Sequence, residues 1–349
     1  MRIAVERAID ELRRGRPVTI AGDTMLSVIA IELTDAATLA AFETDRRADL
    51  LLTDKRAAQL AIANQRPAAG MQAVRAARPD WIDAETAIAV ADPGFDLSAP
   101  LKGPFRALDV ADERTARAAL TLAKLAGLLP ALHIRDWADR AEFPVAPVAE
   151  IERHRHPDTL VEVSRARLPL KAAEKTQAVM FRSPGGPEHL ALLIGDIGET
   201  PLVRLHSSCL TGDVLGSLKC DCGDQLQAAI AAIAADGGGI VLYLQQEGRG
   251  IGLAAKLRAY RLQDQGFDTV DANLRLGFEI DERDYGLAAA MLRTLGIANI
   301  RLLTNNPSKL SGLTSEGISI AERVPLVAGH GEHNAAYLAT KRDRTGHQY

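Results

Sequence analysis

"GDQLQAAIAAIAADGGGIVLYL", residues 223–244, sets the architecture of the chain around it. Alanines and aliphatic residues recur at helical spacing, a run of glycines stops the helix, and IVLYL follows as a short buried strand. The same alternation extends in both directions. Upstream, "EHLALLIGDI" (188–197) and "TPLVRLHS" (200–207) read as strands. Downstream, "GIGLAAKLRAYRLQDQG" (250–266) reads as a helix closed by glycine, and "YGLAAAMLRTLGI" (285–297) as another. "IRLLTNN" (300–306) reads as a strand and "PSKLSGLTSEGI" (307–318) as a helix opened by proline. Strands alternating with helices imply an α/β domain.

At 349 residues and 47% hydrophobic, the chain is long enough for two domains with their own cores. Residues 1–145 are rich in Ala, Leu and Arg. The proline- and charge-bearing stretch at 146–163 reads as a linker, and 164–349 as the second domain, so two α/β domains are expected. No apolar run approaches the ~18 residues that span a bilayer, and the N-terminus reads as an amphipathic helix rather than an export signal. A net charge of −4 offers no general attraction to nucleic acid or anionic membrane. The expectation is a cytoplasmic protein without a nucleic-acid or membrane partner.

All three cysteines fall within "HSSCLTGDVLGSLKCDCGDQL" (206–226), spaced C-x10-C-x-C. An odd, clustered set argues for reduced thiols and a metal rather than a disulfide framework. Three protein ligands are the usual count of a catalytic zinc, which keeps a position open for water. A structural site completed by His206 or a distant histidine, or three small buried thiols, are the alternatives. Two further stretches stand out. In "LYLQQEGRGIGLAAK" (242–256), glycines let backbone approach a ligand where a strand runs into a helix, which suits phosphate. A tight turn with no ligand reads equally well. In "GFEIDERDYG" (277–286), acids surround one arginine, and an ordinary helix cap with ion pairs is the favoured reading of the charge pattern alone.

Together with "DERDYG" and "LLTNNPSK", these stretches resemble GTP cyclohydrolase II, from about Ser164 to Pro325. The resemblance implies one zinc on Cys209, Cys220 and Cys222, and the conversion of GTP to a diaminopyrimidine 5′-phosphate, formate and pyrophosphate at the start of riboflavin synthesis. Magnesium would accompany the triphosphate. Arg283 matches the nucleophile at the α-phosphorus, with electrostatic stabilisation as its alternative role. Asp281 matches the proton acceptor and Tyr260 a tyrosine at the purine. Matching substrate positions are Arg204, Leu205, His206, Ser207, Ser208, Gln225, Glu247, Gly248, Arg249, Thr269, Thr304 and Lys309. Ser208 departs from the family pattern, which commonly has a glutamate there.

The N-terminal half, above all "RTARAALTLAKLAGLLPALHI" (114–134), faintly resembles a 3,4-dihydroxy-2-butanone 4-phosphate synthase domain. Its metal-binding acids are reduced to Asp23, and Arg114 stands where that family has a histidine, so a catalytically silent domain is expected. The remaining role expected of it is as an oligomerisation or stability element, and a homodimer is expected.

Overall fold

The computed structural model describes residues 3–44, 46–137, 143–154, 160–183 and 186–326, with 328 and 344. The chain divides into two compact units, Met1–Arg155 with Ala254–Glu282, and His156–Leu253 with Arg283–Tyr349.

The first unit holds a seven-stranded sheet of β1 (Val18–Ala21), β2 (Met25–Ala30), β3 (Asp49–Thr53), β4 (Ala73–Ala77), β5 (Arg106–Leu108), β6 (Ala131–Trp137) and β7 (Val145–Pro147), in the order β5-β4-β3-β6-β2-β1-β7. Its helices from residues 1–155 are α1 (Ile3–Arg13), α2 (Ala36–Phe42), α3 (Asp54–Gln59), α4 (Ala84–Ala91), α5 (Glu113–Leu125) and α6 (Val148–His154). The apolar stripe of α1 (Val5, Ala8, Ile9, Leu12) and that of α5 (Ala116, Ala119, Leu120, Ala123) meet Val18, Ile20 and Val28 of the sheet in one core.

In the second unit, β8 (Val161–Arg167), β9 (Thr176–Arg182), β10 (Glu188–Gly195), β11 (Leu202–Ser207), α7 (Cys222–Ala235) and β12 (Gly238–Leu244) come first. The chain then forms α8 (Gly252–Asp264) and α9 (Thr269–Arg275), returns with α10 (Tyr285–Thr294) and β13 (Asn299–Leu303), and ends in α11 (Pro307–Ser315) and β14 (Ser319–Val324). The sheet order is β14-β13-β11-β12-β10-β9-β8. β12, β11, β13 and β14 run parallel, and β10, β9 and β8 extend the sheet antiparallel.

β12 is buried on both faces, as its unbroken apolar run requires. Ile240, Leu242 and Leu244 face α10, while Val241 faces Ala229, Ile230 and Ile233 of α7. Each helix and strand read from residues 188–318 is present, and Pro307 occupies the first turn of α11 behind an Asn306 cap.

The compact units differ in two respects from a division at 145 and 163. The first unit runs to Arg155, because Ala146, Val148 and Ile151 of the expected linker bury their side chains in its core. It also takes in Ala254–Glu282, which sequence order alone assigns to the second domain.

Candidate active site and metal centre

Because β11, β12 and β13 are parallel, the segments leaving their C-terminal ends lie along one edge of the second sheet. Ser208 and Cys209 follow β11, Gln246 and Glu247 follow β12, and Thr304 follows β13. Open α/β sheets place ligands beyond this end, where no strand continues and backbone groups remain to be satisfied.

The three cysteines converge here. Cys209 caps a helical turn, Leu210–Val214, its Sγ accepting the Gly212 N–H at 3.2 Å, and Cys222 opens α7. The three Sγ atoms lie within 4.8 Å of one another, with Cys209 and Cys220 3.7 Å apart, and none of the three is in a disulfide. Gly212 makes this convergence possible. A Cβ on it would stand 2.7 Å from Cys220 Sγ and 3.0 Å from Cys209 Sγ. The neighbouring sulfurs and burial push the Cys220 and Cys222 thiols up, since a second or third thiolate in this space is repelled by the first. A soft dication relieves that repulsion, so the donor set fits zinc. Among the described residues no fourth His, Cys, Asp or Glu ligand atom joins the group.

Beneath the cysteine loop lies an arrangement that the sequence reading missed. Asp213, its side chain 3% exposed, faces His206 Nε2 at 3.1 Å through both carboxylate oxygens, and accepts the Tyr243 hydroxyl at 2.8 Å and the Cys209 N–H at 3.0 Å. His206 stacks on Tyr243 with ring centroids 5.6 Å apart. Burial pushes the His206 pKa down, against the pull of Asp213. The only signal available in sequence was an acid, Asp213, inside the loop that joins two metal-ligand candidates. Asp213 fixes Cys209 through its backbone, as outer partners fix metal ligands elsewhere. Asp213→Ala is therefore expected to weaken zinc retention about 10- to 100-fold in chelator competition. Retention equal to wild type would remove Asp213 from this role.

Cationic groups lie at the same sheet edge. Arg204 is buried, donating through Nη1 to Leu303 O at 3.1 Å and through Nη2 to Gln225 Oε1 at 2.6 Å. Burial pushes its pKa down to about 10, with Arg283 acting in the same direction and Cys222 and Asp221 against it. Lys309, at the start of α11, donates to Leu205 O at 2.7 Å, and Arg283 places its guanidinium 5.5 Å over the Tyr285 ring. Glu247 accepts the Leu210 N–H at 2.7 Å and so ties its loop to the cysteine turn. That loop bends sharply, with Gly248 and Arg249 both left-handed at φ near 60°. Thr304 is buried and accepts the Asn306 N–H. Asp284, one of the clustered acids, caps α10 as the charge pattern suggested.

Three buried polar atoms at this edge, Arg204 Nε, Ser208 Oγ and Gln246 Oε1, have no hydrogen-bond partner among the described residues. Such atoms are costly unless a ligand or water meets them. Of the residues singled out in sequence, Tyr260, Thr269 and Asp281 belong to the first compact unit and the others to the second.

His189 of β10 holds the approach to the Glu247 loop, its Nδ1 accepting the Gln245 N–H at 3.1 Å. Burial lowers its pKa from 6.5 to about 4. Between those values the unfolded chain binds a proton that the folded one refuses, so stability falls as pH drops from 6.5 toward 4. The loss is about 3 kcal/mol. His189→Gln should flatten that part of the pH–stability curve measured by denaturant titration, and an unchanged slope would contradict the assignment.

Residues 161–325 match the family model described as GTP cyclohydrolase II. The chain is 44% identical to "GTP cyclohydrolase-2" of Azospirillum brasilense over 367 aligned positions, covering 99% of this chain and 94% of that protein. It is 55% identical to "GTP cyclohydrolase-2" of Pseudomonas putida (strain W619) over 190 positions, covering 54% of this chain and 93% of that protein.

Proposed function

This chain belongs to the GTP cyclohydrolase II family, and from that premise we propose that it is a zinc-dependent enzyme hydrolysing GTP to 2,5-diamino-6-ribosylamino-4(3H)-pyrimidinone 5′-phosphate, formate and pyrophosphate, the first step of riboflavin synthesis. One observation carries the reading. Three convergent thiols share a sheet edge with buried Arg204, whose Nε points to no partner among the described residues. A metal site and an anion site side by side suit a substrate that is attacked at a ring and cleaved at a phosphate.

Cys209, Cys220 and Cys222 would hold the zinc. Bound there, it would supply a water acidified toward neutrality. Arg204 and Lys309 present fixed positive charge toward the triphosphate, which arrives with magnesium. Arg283 acts at the α-phosphate. Its two candidate roles there are nucleophile and charge clamp. Glu247 accepts from the guanine edge, Gln225 and Thr304 complete the polar wall, Asp281 takes a proton, and Tyr260 hydrogen-bonds the purine during opening.

The test is to incubate the purified protein with GTP, zinc and magnesium and to assay the three products separately. All three are expected. Ser208, buried with an unpartnered Oγ where the family pattern has glutamate, motivates a second reading as a partial hydrolase, selected by pyrophosphate without formate.

The N-terminal region is proposed to lack synthase chemistry. Arg114 is paired with Glu152 at 2.7 Å, and the Asp112 carboxylate is occupied by the Asp23 and Thr24 N–H groups. Consumption of ribulose 5-phosphate by the full chain would count against this. Among the described residues no helix is long and apolar enough to cross a membrane, and three cysteines outside any disulfide suit a reducing cytoplasm. Assembly as a homodimer fits the edge strand β8, every residue of which is exposed, and solution mass by light scattering decides it.

A further inference from the structure

The segment 254–282 contains Tyr260, Thr269 and Asp281, and it is built into the N-terminal unit by a series of specific contacts. On α8, Arg258 Nε meets Asp92 Oδ2 at 3.1 Å and Arg258 Nη1 lies 3.5 Å from Glu32. Both acids are nearly buried, their side chains each 9% exposed. Asp92 is itself fixed, since its Oδ1 accepts the Gly94 N–H at 2.8 Å. Three residues on, Arg261 lays its guanidinium over the Phe95 ring at 4.9 Å, and Gln265 donates to Gly94 O at 3.4 Å. Arg258 and Arg261 share one face of α8, and Gln265 follows its C-terminal end. Tyr260 is displaced from Arg258 by two steps of about 100° and lies off that face.

The docking continues past α8. Arg275 lies 3.8 Å from Asp96, which also receives both Nη atoms of buried Arg56 at 2.8 Å. Gly277 sits so close to β3 that a Cβ would stand 2.7 Å from Thr53 Oγ1, and Phe278 is buried below the Lys124 ammonium. Glu279 pairs with Lys55 at 2.8 Å and Glu282 with Lys124. Every one of these partners, from Glu32 to Lys124, belongs to the N-terminal half. None is among the residues assigned to GTP or metal.

We propose that the N-terminal region is a positioning device for the cyclohydrolase reaction, clamping the Tyr260–Asp281 segment chiefly through Asp92, Glu32 and Phe95. Arg258 is a positioning residue that acts through Tyr260. This rests on the role given to Tyr260 above. Its consequence is geometric, since a reacting group displaced by about 1 Å can lose on the order of 10²-fold in rate while the rest of the site stays intact.

The experiment uses the full chain loaded with zinc and measures formate, pyrophosphate and bound zinc for wild type, Arg258→Met, Phe95→Ala, Tyr260→Phe and the Arg258→Met/Tyr260→Phe double variant. Arg258→Met is expected to lower formate release about 10- to 100-fold with zinc and pyrophosphate release retained. Phe95→Ala should do the same more weakly, and it carries the test if Arg258→Met fails to fold. In the Tyr260→Phe background the Arg258→Met loss should shrink to within about 3-fold, because the two act on one step. Parallel loss of both products at full zinc content, or losses that multiply in the double variant, would overturn the clamp alone. A wild type that releases neither product would overturn the functional reading and the clamp together.

Discussion

Cys220→Ser is expected to lose the zinc and, with it, formate release by about 10³-fold or more, equivalent to ~4 kcal/mol of transition-state stabilisation. Wild type should carry about one zinc per chain, as a single three-thiolate site implies. A serine hydroxyl keeps its proton at neutral pH and is a poor ligand for a soft dication, so the variant retains shape but not charge. The fold should survive. Cys220 is half-buried in a loop, and neither apolar core of the second unit includes it. Metal analysis, circular dichroism and formate assay on the same preparation separate the possibilities. Full activity in a metal-free wild type would sink the zinc assignment.

Arg283→Ala and Tyr260→Phe should fail differently, because the two side chains serve opposite ends of GTP in the reading proposed here. Arg283 stands just before α10, and its charge is felt by buried Arg204. Its removal takes a charge from the phosphate end, so pyrophosphate release should disappear, and formate with it if that cleavage comes first. Tyr260 is half-buried on α8 with the Lys256 ammonium 5.8 Å from its ring centroid. Deleting only its hydroxyl should leave zinc, fold and pyrophosphate release in place while formate falls on the order of 10²-fold, the usual size of one lost catalytic hydrogen bond. Equal loss of both products from a folded, metallated Tyr260→Phe would break this division of labour.

Much of the second unit was legible because its signals are local. Residues 223–244 encode a helix, a glycine stop and a strand within one short window, and the structure realises them as α7 and β12. Cys209, Cys220 and Cys222 are near enough in the chain that a single loop closes them into one cluster. Asp213 was overlooked for the opposite reason. Its partners His206 and Tyr243 lie on different strands, and only the parallel pairing of β11 with β12, which sets His206 opposite Tyr243, makes a network of them.

By itself the sequence determined the order of helices and strands from residue 188 onward, the clustering of the three thiols and the glycine-bearing turn after β12, all consequences of periodicity and short covalent spacing. Tertiary structure alone decided where Ala254–Glu282 belongs. In the sequence Arg258, Arg261 and Arg275 are unremarkable charges on amphipathic helices. They become anchors because folding brings Asp92, Phe95 and Asp96, more than a hundred and fifty positions away, beneath them. Burial and charge pairing at that separation leave no periodic trace, since the match lies between two surfaces that meet only once both have folded.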